Sequence, residues 1–460
     1  MGKKYRIERD SLGEIKILEE NLWGVTTERA LKFFNISKEK FPREMIRAYG
    51  IIKKSCALAN FKLNILGDYE KELIVKICNE IIKGKFDKEF PLNIWISGSG
   101  TQFNMNFNEV ISNYASVLEG YPKGSKIPLH PNDHVNCSQS TNDTFPSAMS
   151  IAFYIKAKEE LLPELLELQL ILEKKAVEFF PIKKIGRTHM QDAVPMQLGE
   201  EFLNYSILIK ENIFRIEKAL EELLYLPIGG TAIGNGINAP KNFSDYVIKE
   251  IVGHTGYFFK ESINKFAYQG SHDNFLNFSG TLKTLSNSVY KIANDIRLLS
   301  SGPRSGLNEL VLPENEPGSS IMPGKINPTQ CEILSMIALQ VIGNDFVVTL
   351  GGSGGFLELN VYKPLIMRNT LESIELLKEG CKSFRKYLLK NIKPNLIYLE
   401  KNLRNSLMIG TYFVKHIGYD KVSKLILYAQ RENISLEEAN KKLKLIEEEL
   451  FNSILREVLL

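Results

Sequence analysis

The chain has 460 residues, 44% apolar and 24% charged, with a formal net charge of +4. That length is enough for about three domains of ordinary size and a large core, and a near-average composition without Pro-rich, Gln-rich or Gly/Ser-rich tracts excludes a disordered chain. Basic and acidic residues are interleaved, so the small positive excess reads as a solvated surface and not as a nucleic-acid footprint.

Taken in chain order, residues Met1 to Glu8 are basic but have no apolar segment behind them. No window of about 18 uninterrupted apolar residues occurs anywhere, so the expected location is the cytoplasm. Gly98-Ser99-Gly100-Thr101 is the first segment dense in small and hydroxyl residues. Gly120, Pro122, Gly124, Pro128 and Pro131 then mark a break. Two polar segments follow, His130-Pro131-Asn132-Asp133 and Ser138-Gln139-Ser140-Thr141-Asn142-Asp143. A long apolar stretch from Ala148 to Phe180 predicts helix with Pro163 as a kink.

Gly186-Arg187-Thr188-His189-Met190-Gln191-Asp192 is another polar segment, read as a loop. A helical series at Ile209, Ile213, Ile216, Leu220 and Leu223 comes after it. Between Phe275 and Leu299 the apolar positions are 275, 278, 282, 285, 289, 292, 296 and 299, the alternating three- and four-residue steps of a bundle helix. The segment from Ile333 to Leu350 is apolar on nearly every face, which predicts a core helix or a subunit contact. Asn391, Pro394 and Asn395 mark a second break. Helices this long find their missing burial in neighbouring copies, so a homo-oligomer is expected.

Between the last two long helices lies Gly318-Ser319-Ser320-Ile321-Met322-Pro323-Gly324-Lys325-Ile326-Asn327-Pro328. Its two prolines and two glycines exclude a continuous helix. Its hydroxyls, ammonium and carboxamide offer hydrogen bonds with no negative charge, so it reads as a loop closing over an anionic substrate. An ordinary polar turn is the alternative. The other polar segments are equally good helix N-caps when each is taken alone. Together they suggest loops gathered at bundle ends, where helix N-termini favour anions.

Cysteines at 56, 78, 137, 331 and 381 are odd in number and widely spaced, which predicts reduced thiols and neither a disulfide framework nor a cysteine metal site. His189 has no HxxxH partner and the other five histidines read as scattered, so no metal and no cofactor are expected. Neither a phosphate-binding GxxxxGK[ST] nor a GxGxxG in a strand-turn-helix context is present, and no GxSxG elbow makes Ser319 or Ser320 a hydrolase nucleophile.

The strings SGTQFNMNFNEV (99 to 110), HPNDHVN (130 to 136), SQSTNDTFPSAM (138 to 149), GRTHMQDAVP (186 to 195) and GSSIMPGKINPTQCE (318 to 332) resemble, in that order, the fumarase/aspartase superfamily. Thr188-His189, where aspartases carry Thr-Gln, and Gly324, where they tend to carry Ala, favour the metal-independent class II fumarases. Gly229-Gly230-Thr231, His272-Asp273 and the residues after Asn327 point the same way.

The resemblance implies a mainly α, three-domain fold, with domains at 1–138, 139–396 and 397–460 and a central long-helix bundle at the core of a homotetramer with shared active sites. It implies hydration of fumarate to malate; an ammonia-lyase acting on aspartate and a non-catalytic structural member are the alternatives. By resemblance Ser319 is the base, His189 the acid with Glu332 fixing its tautomer, and Lys325 the cation. Ser99, Gly100, Thr101, Ser140, Thr141, Asn142, Thr188, Ser320, Lys325 and Asn327 would hold the dicarboxylate. His130, Pro131, Asn132 and Asp133 would form a second dicarboxylate site. The chain departs from the family at Cys137, usually Lys, at Asn235, usually Thr, and at Phe103, usually small.

Overall fold

Residues 3–459 are described by a computed structural model, and the protein is mainly helical. A short antiparallel hairpin comes first, β1 (Tyr5–Asp10) against β2 (Gly13–Leu18). Helices α1 (Val25–Phe33), α2 (Arg43–Lys62), α3 (Asp68–Ile82), α4 (Thr101–Leu118) and α5 (Thr141–Lys156) follow. The N-terminus of α1 has no cap of its own, because Gly24 lacks a side chain. Buried Glu109 of α4 supplies one, accepting from the backbone N–H groups of Gly24, Thr26 and Thr27. A carboxylate at a helix start meets both the unpaired N–H groups and the positive dipole end.

The apolar stretch 148–180 is helical throughout, with an irregularity in the middle. Between α5 and α6 (Leu162–Phe179) the turn Ala157–Leu161 is of the wider π type. It lies just before Pro163, whose ring crowds the carbonyl four residues back and whose missing N–H breaks the regular ladder.

The long helices α7 (Leu198–Leu223) and α10 (Asp273–Leu299) appear where the apolar periodicity placed them. Every one of the eight apolar positions named from Phe275 to Leu299 is buried. Helices α8 (Phe243–Thr255) and α9 (Lys265–Gly270) fall between them, and α11 (Thr329–Ser353) and α12 (Lys363–Phe384) follow. The chain ends in five shorter helices, α13 (Leu396–Asn405), α14 (Val414–Ile417), α15 (Tyr419–Glu432), α16 (Leu436–Leu443) and α17 (Glu448–Leu459).

The chain divides into two compact units. In the first, which holds residues up to Pro163 with Asn212–Ser286 and Ala338–Lys378, α2 packs against α3, α5 and α8. Its aromatic core joins Phe41, Tyr49, Phe90, Phe103, Phe107 and Phe145. The second holds Glu164–Glu211, Asn287–Ile337 and the residues from Glu379 on. Here a second hairpin, β3 (Lys183–Thr188) with β4 (Gln191–Gln197), packs on α13 and on the turn Leu407–Phe413. The C-terminal helices close a core of their own around Leu403, Phe413, Leu425, Phe451 and Ile454.

One helix departs from simple burial. α11 buries Cys331, Leu334, Ala338, Val341 and Val348, while Met336, Leu339, Phe346 and Leu350 are each more than half exposed. Its second face is apolar and uncovered in the single chain.

Candidate active site

The first unit brings together two of the polar segments at helix N-termini. Gly100 is the N-cap of α4 and takes φ +86, a left-handed conformation that glycine adopts without strain. A side chain there would also meet the Phe145 ring at 2.2 Å. The start of α4 therefore lies directly against α5, and Asn104 Nδ2 donates to Thr141 Oγ1 at 3.0 Å. Ser99 Oγ bonds to Thr101 Oγ1 at 2.9 Å. Thr101, Ser140, Thr141 and Asn142 thus gather at the ends of two adjoining helices, where backbone N–H groups and dipoles favour a carboxylate.

Ser140 is the N-cap of α5 in a capping box with Asp143. Sequence reading treated Asp143 as one more polar loop residue, yet it is fully buried and joins three strands of chain. Its carboxylate accepts from the N–H groups of Ser140 at 3.0 Å, Gly229 at 2.8 Å and Thr231 at 3.0 Å. Burial pushes the carboxyl up to about 7, against the pull of those three N–H bonds. The N-cap was an open reading of this segment in the sequence; the contact with residues 229 to 231 was not.

The 130s segment is one turn, with Pro131–Val135 in a π-type geometry. His130 Nδ1 accepts from the N–H groups of Asn132 and Asp133, and His134 Nδ1 accepts from the His130 N–H. His130 and His134 are therefore a four-residue pair, and the reading of scattered histidines is corrected here.

In the second unit Thr188 and His189 end β3 and begin a two-residue turn, with φ +56 at His189 and +63 at Met190. This hairpin replaces the expected loop. Neither residue is Asn or Gly, the usual signature of such a turn, so no local residue type marks it. His189 is exposed at the tip. Strand β3 is anchored along its length by a buried network: Arg187 Nη2 donates to Glu309 at 2.6 Å, and Lys184 pairs with Glu309 at 3.1 Å and Glu201 at 2.6 Å. Burial opposes ionisation of Glu309, but Arg187 and Lys184 hold its carboxyl below the usual range. Glu309 and Lys184 were not singled out from sequence, because nothing local to either announces a partner more than a hundred residues away.

The 318–328 segment is irregular, as its prolines and glycines require. Asn327 Nδ2 donates to the Gly318 carbonyl, closing the loop at its base. A side chain at Gly318 would meet the Lys325 carbonyl at 1.9 Å, so this closure needs glycine. Ser319 Oγ accepts from the N–H groups of Met322 at 3.0 Å and Ile321 at 3.4 Å. Ser320 and Lys325 are exposed, and Glu332 is exposed on the first turn of α11. Among the described residues no hydrogen bond or ion pair joins His189 to Glu332 within the chain.

A lyase family model matches residues 13–343, and a model for the fumarase C C-terminus matches residues 409–458. The chain belongs to the fumarase family of lyases. It is 49% identical to a class II fumarate hydratase of Prochlorococcus marinus, covering 99% of this chain and 98% of that one. The corresponding enzyme of Bacillus subtilis is 46% identical, with 98% of each chain covered. A crystal structure of class II fumarase from Schistosoma mansoni superposes with a TM-score of 0.96 at 40% identity, over 98% of each chain.

The three departures from the fumarase pattern have different surroundings. Phe103 is fully buried and stacks on Phe41 at 4.0 Å between ring centres, so it belongs to the core beneath the α4 N-terminus. Asn235 makes a local turn, its Oδ1 accepting from the Ile237 N–H at 3.2 Å. Cys137 is half-buried and sits in the segment that leads to Ser140.

Proposed function

We infer that the chain is a fumarate hydratase, interconverting fumarate and (S)-malate by anti addition and removal of water in the tricarboxylic acid cycle. The observation that carries the reading is identity of 46 to 49% over essentially full length to class II fumarate hydratases. In the direction from malate, a C3 proton beside a carboxylate leaves first and hydroxide leaves C2 afterwards. The intermediate aci-carboxylate gains a negative charge, and preorganised donors stabilise it; removal of one such donor typically costs about 3 to 4 kcal/mol.

We propose the following roles. Ser319 is the base, and its support is the pair of backbone N–H groups already directed at its oxygen, which are what an alkoxide needs. Lys325 and Asn327 face the carboxylate that becomes dianionic. Thr101, Ser140, Thr141, Asn142 and Thr188 hold the remaining carboxylate and the hydroxyl, with Ser99, Gly100 and Ser320 shaping the pocket. His189 protonates the departing hydroxide, and Glu332 orients its ring. His130 to Asp133 form a secondary dicarboxylate site; in its support, the turn runs directly into Asn136, whose Oδ1 is held by the same Asn104 that bonds Thr141.

We also propose a soluble cytoplasmic homotetramer with active sites shared between subunits. Two observations favour it. Among the described residues His189 and Glu332 are both exposed and not joined to each other within one chain, which suits pairing with a second copy. The uncovered apolar face of α11 needs a cover, and buried Asp345 on that helix, bonded to Ser279 at 2.8 Å, suits a protein neighbour better than lipid.

The test is an ultraviolet assay for fumarate formed from malate, run beside aspartate and without added metal. Activity on malate is expected. Activity on aspartate alone would sink the reading. Dilution to monomers should abolish turnover, and an active monomer would refute the shared site.

A further inference from the structure

Helix α2 presents one buried stripe to the segment that leads into the substrate residues. The stripe is Tyr49, Lys53, Cys56 and Asn60, each at most 1% exposed. Steps of four, three and four residues place all of them on a single helix face. Three of them grip the segment from 136 to 144. The Tyr49 hydroxyl bonds to Thr144 Oγ1 at 2.8 Å. Lys53 Nζ donates to Asn136 Oδ1 at 3.1 Å and Gln139 Oε1 at 2.9 Å. Asn60 donates to the Cys137 carbonyl at 3.0 Å and accepts from Ser138 Oγ at 2.8 Å. Between these grips Ser138 is held at φ +62, a strained conformation that persists only where the surroundings fix it.

Lys53 differs from the other three. Among the described residues no carboxylate lies within ion-pair distance of it, so a buried ammonium is held by two neutral amide oxygens. Burial pulls it down to about 7. Buried charges normally carry a partner, and an apolar side chain of the same volume is usually at least as stabilising. Folding stability therefore gives no reason for an ammonium here. Asp143 acts on it only through space, and an anion seated at Ser140 to Asn142 would add counter-charge.

We propose that Lys53 is a positioning residue of the active site and its resident buried cation. It locks residues 136 to 140 in the shape that presents Ser140, Thr141 and Asn142, and it makes that pocket attractive to a substrate carboxylate. It thereby provides from α2 the positive charge that Cys137 does not provide from the segment itself. The proposal rests on the fumarate hydratase reading.

The test compares wild type with Lys53→Gln, which keeps a donor and loses the charge, and Lys53→Arg, which keeps the charge. Wild-type turnover of malate decides the underlying reading first; absence of turnover overturns that reading. Given turnover, Lys53→Gln should raise both the KM for malate and the calorimetric Kd for the unreactive dicarboxylate succinate by about tenfold, roughly 1.4 kcal/mol. Its kcat and melting temperature should change little, and Lys53→Arg should recover most of the affinity. Unchanged KM and Kd in Lys53→Gln overturn the proposal. So does an equal loss of kcat, affinity and stability in both variants, which would mark a purely structural role.

If Lys53→Gln does not fold, the pH profiles of wild type and Lys53→Arg decide. Tyr49, Cys56, Cys78 and Asp143 are the titratable groups around the ammonium. Burial pushes the tyrosine and both thiols upward, out of the window. Asp143 shares the window near 7, and its ionisation weakens anion binding in the same sense. KM for malate should rise between pH 6 and pH 9 in wild type and rise less in Lys53→Arg, whose charge persists across that range while Asp143 is unchanged; a flat wild-type profile, or the same rise in both proteins, overturns the proposal.

Discussion

Gly98→Ala gives a direct test of how the segment from Gly98 to Thr101, proposed to bind substrate, is held. An added Cβ at Gly98 would stand 1.3 Å from the Val361 carbonyl oxygen, where ordinary contact begins at 3.4 Å. Relief therefore requires a separation of about 2 Å, judged against ordinary carbon–oxygen contact. The same contact is stitched by a hydrogen bond from the Lys363 N–H to the Gly98 carbonyl at 3.2 Å. The loop cannot move inward, because Gly100 abuts Phe145 and Phe145 is packed against Phe41 and Phe103. The displacement falls on Ser99, Gly100 and Thr101. Misplacement of reacting groups by about 1 Å costs on the order of 100-fold in rate, so kcat/KM for malate should fall at least that far, roughly 3 kcal/mol of transition-state stabilisation. Gly253→Ala is the control: no atom outside the local backbone of its own helix lies within 4 Å of its added Cβ, in the last turn of α8. It should be neutral, or stabilising by up to about 1 kcal/mol. A folded Gly98→Ala protein with kcat/KM within about threefold of wild type, well short of that loss, would refute the reasoning.

His189→Asn should lower kcat by roughly 100- to 10,000-fold, the range for loss of a general acid, while gel filtration shows the assembly unchanged; unaltered turnover removes His189 from the mechanism. Phe346→Asp places a carboxylate on the exposed face of α11 and removes about 1.5 to 3 kcal/mol of apolar burial per copy if that face is covered. Sedimentation should show smaller species and activity should fall with them; an intact assembly excludes this face as an interface. For Asp143 the folded carboxyl is raised from 3.8 to about 7, so the folded state binds its proton more tightly than the unfolded chain. That contribution to stability is present below about pH 4 and is lost as pH rises towards 7. Asp143→Asn lacks it, so the variant's deficit in urea midpoint against wild type should shrink between pH 4.5 and pH 7.5; a constant deficit contradicts the assignment.

The long helices were legible because burial on one face repeats every three or four residues, and the eight positions from Phe275 to Leu299 are the clearest case. The apolar segment from Ile333 to Leu350 was legible as a helix but not as half-exposed, since composition reports the need for cover and not its source. The His189 turn was misread as loop, because two left-handed residues there are held by the Arg187–Glu309 network and not by a local turn sequence. The grip of α2 on residues 136 to 144 was invisible for a related reason: a lysine in an apolar helix gives no sign of which distant amides receive it.

By itself the sequence determined the helical class, the donor-rich and uncharged character of the 318–328 loop, and the family to which those motifs belong. These follow from residue type and short spacing, which fix periodicity, backbone freedom and available chemistry. Only the tertiary structure decided that Thr101 and Ser140 to Asn142 meet at two helix ends, that Asp143 ties them to Gly229 and Thr231, and that Lys53 lies beneath them without a carboxylate partner. Such contacts join residues tens of positions apart, and whether a polar group is buried, paired or exposed depends on the chain that packs around it.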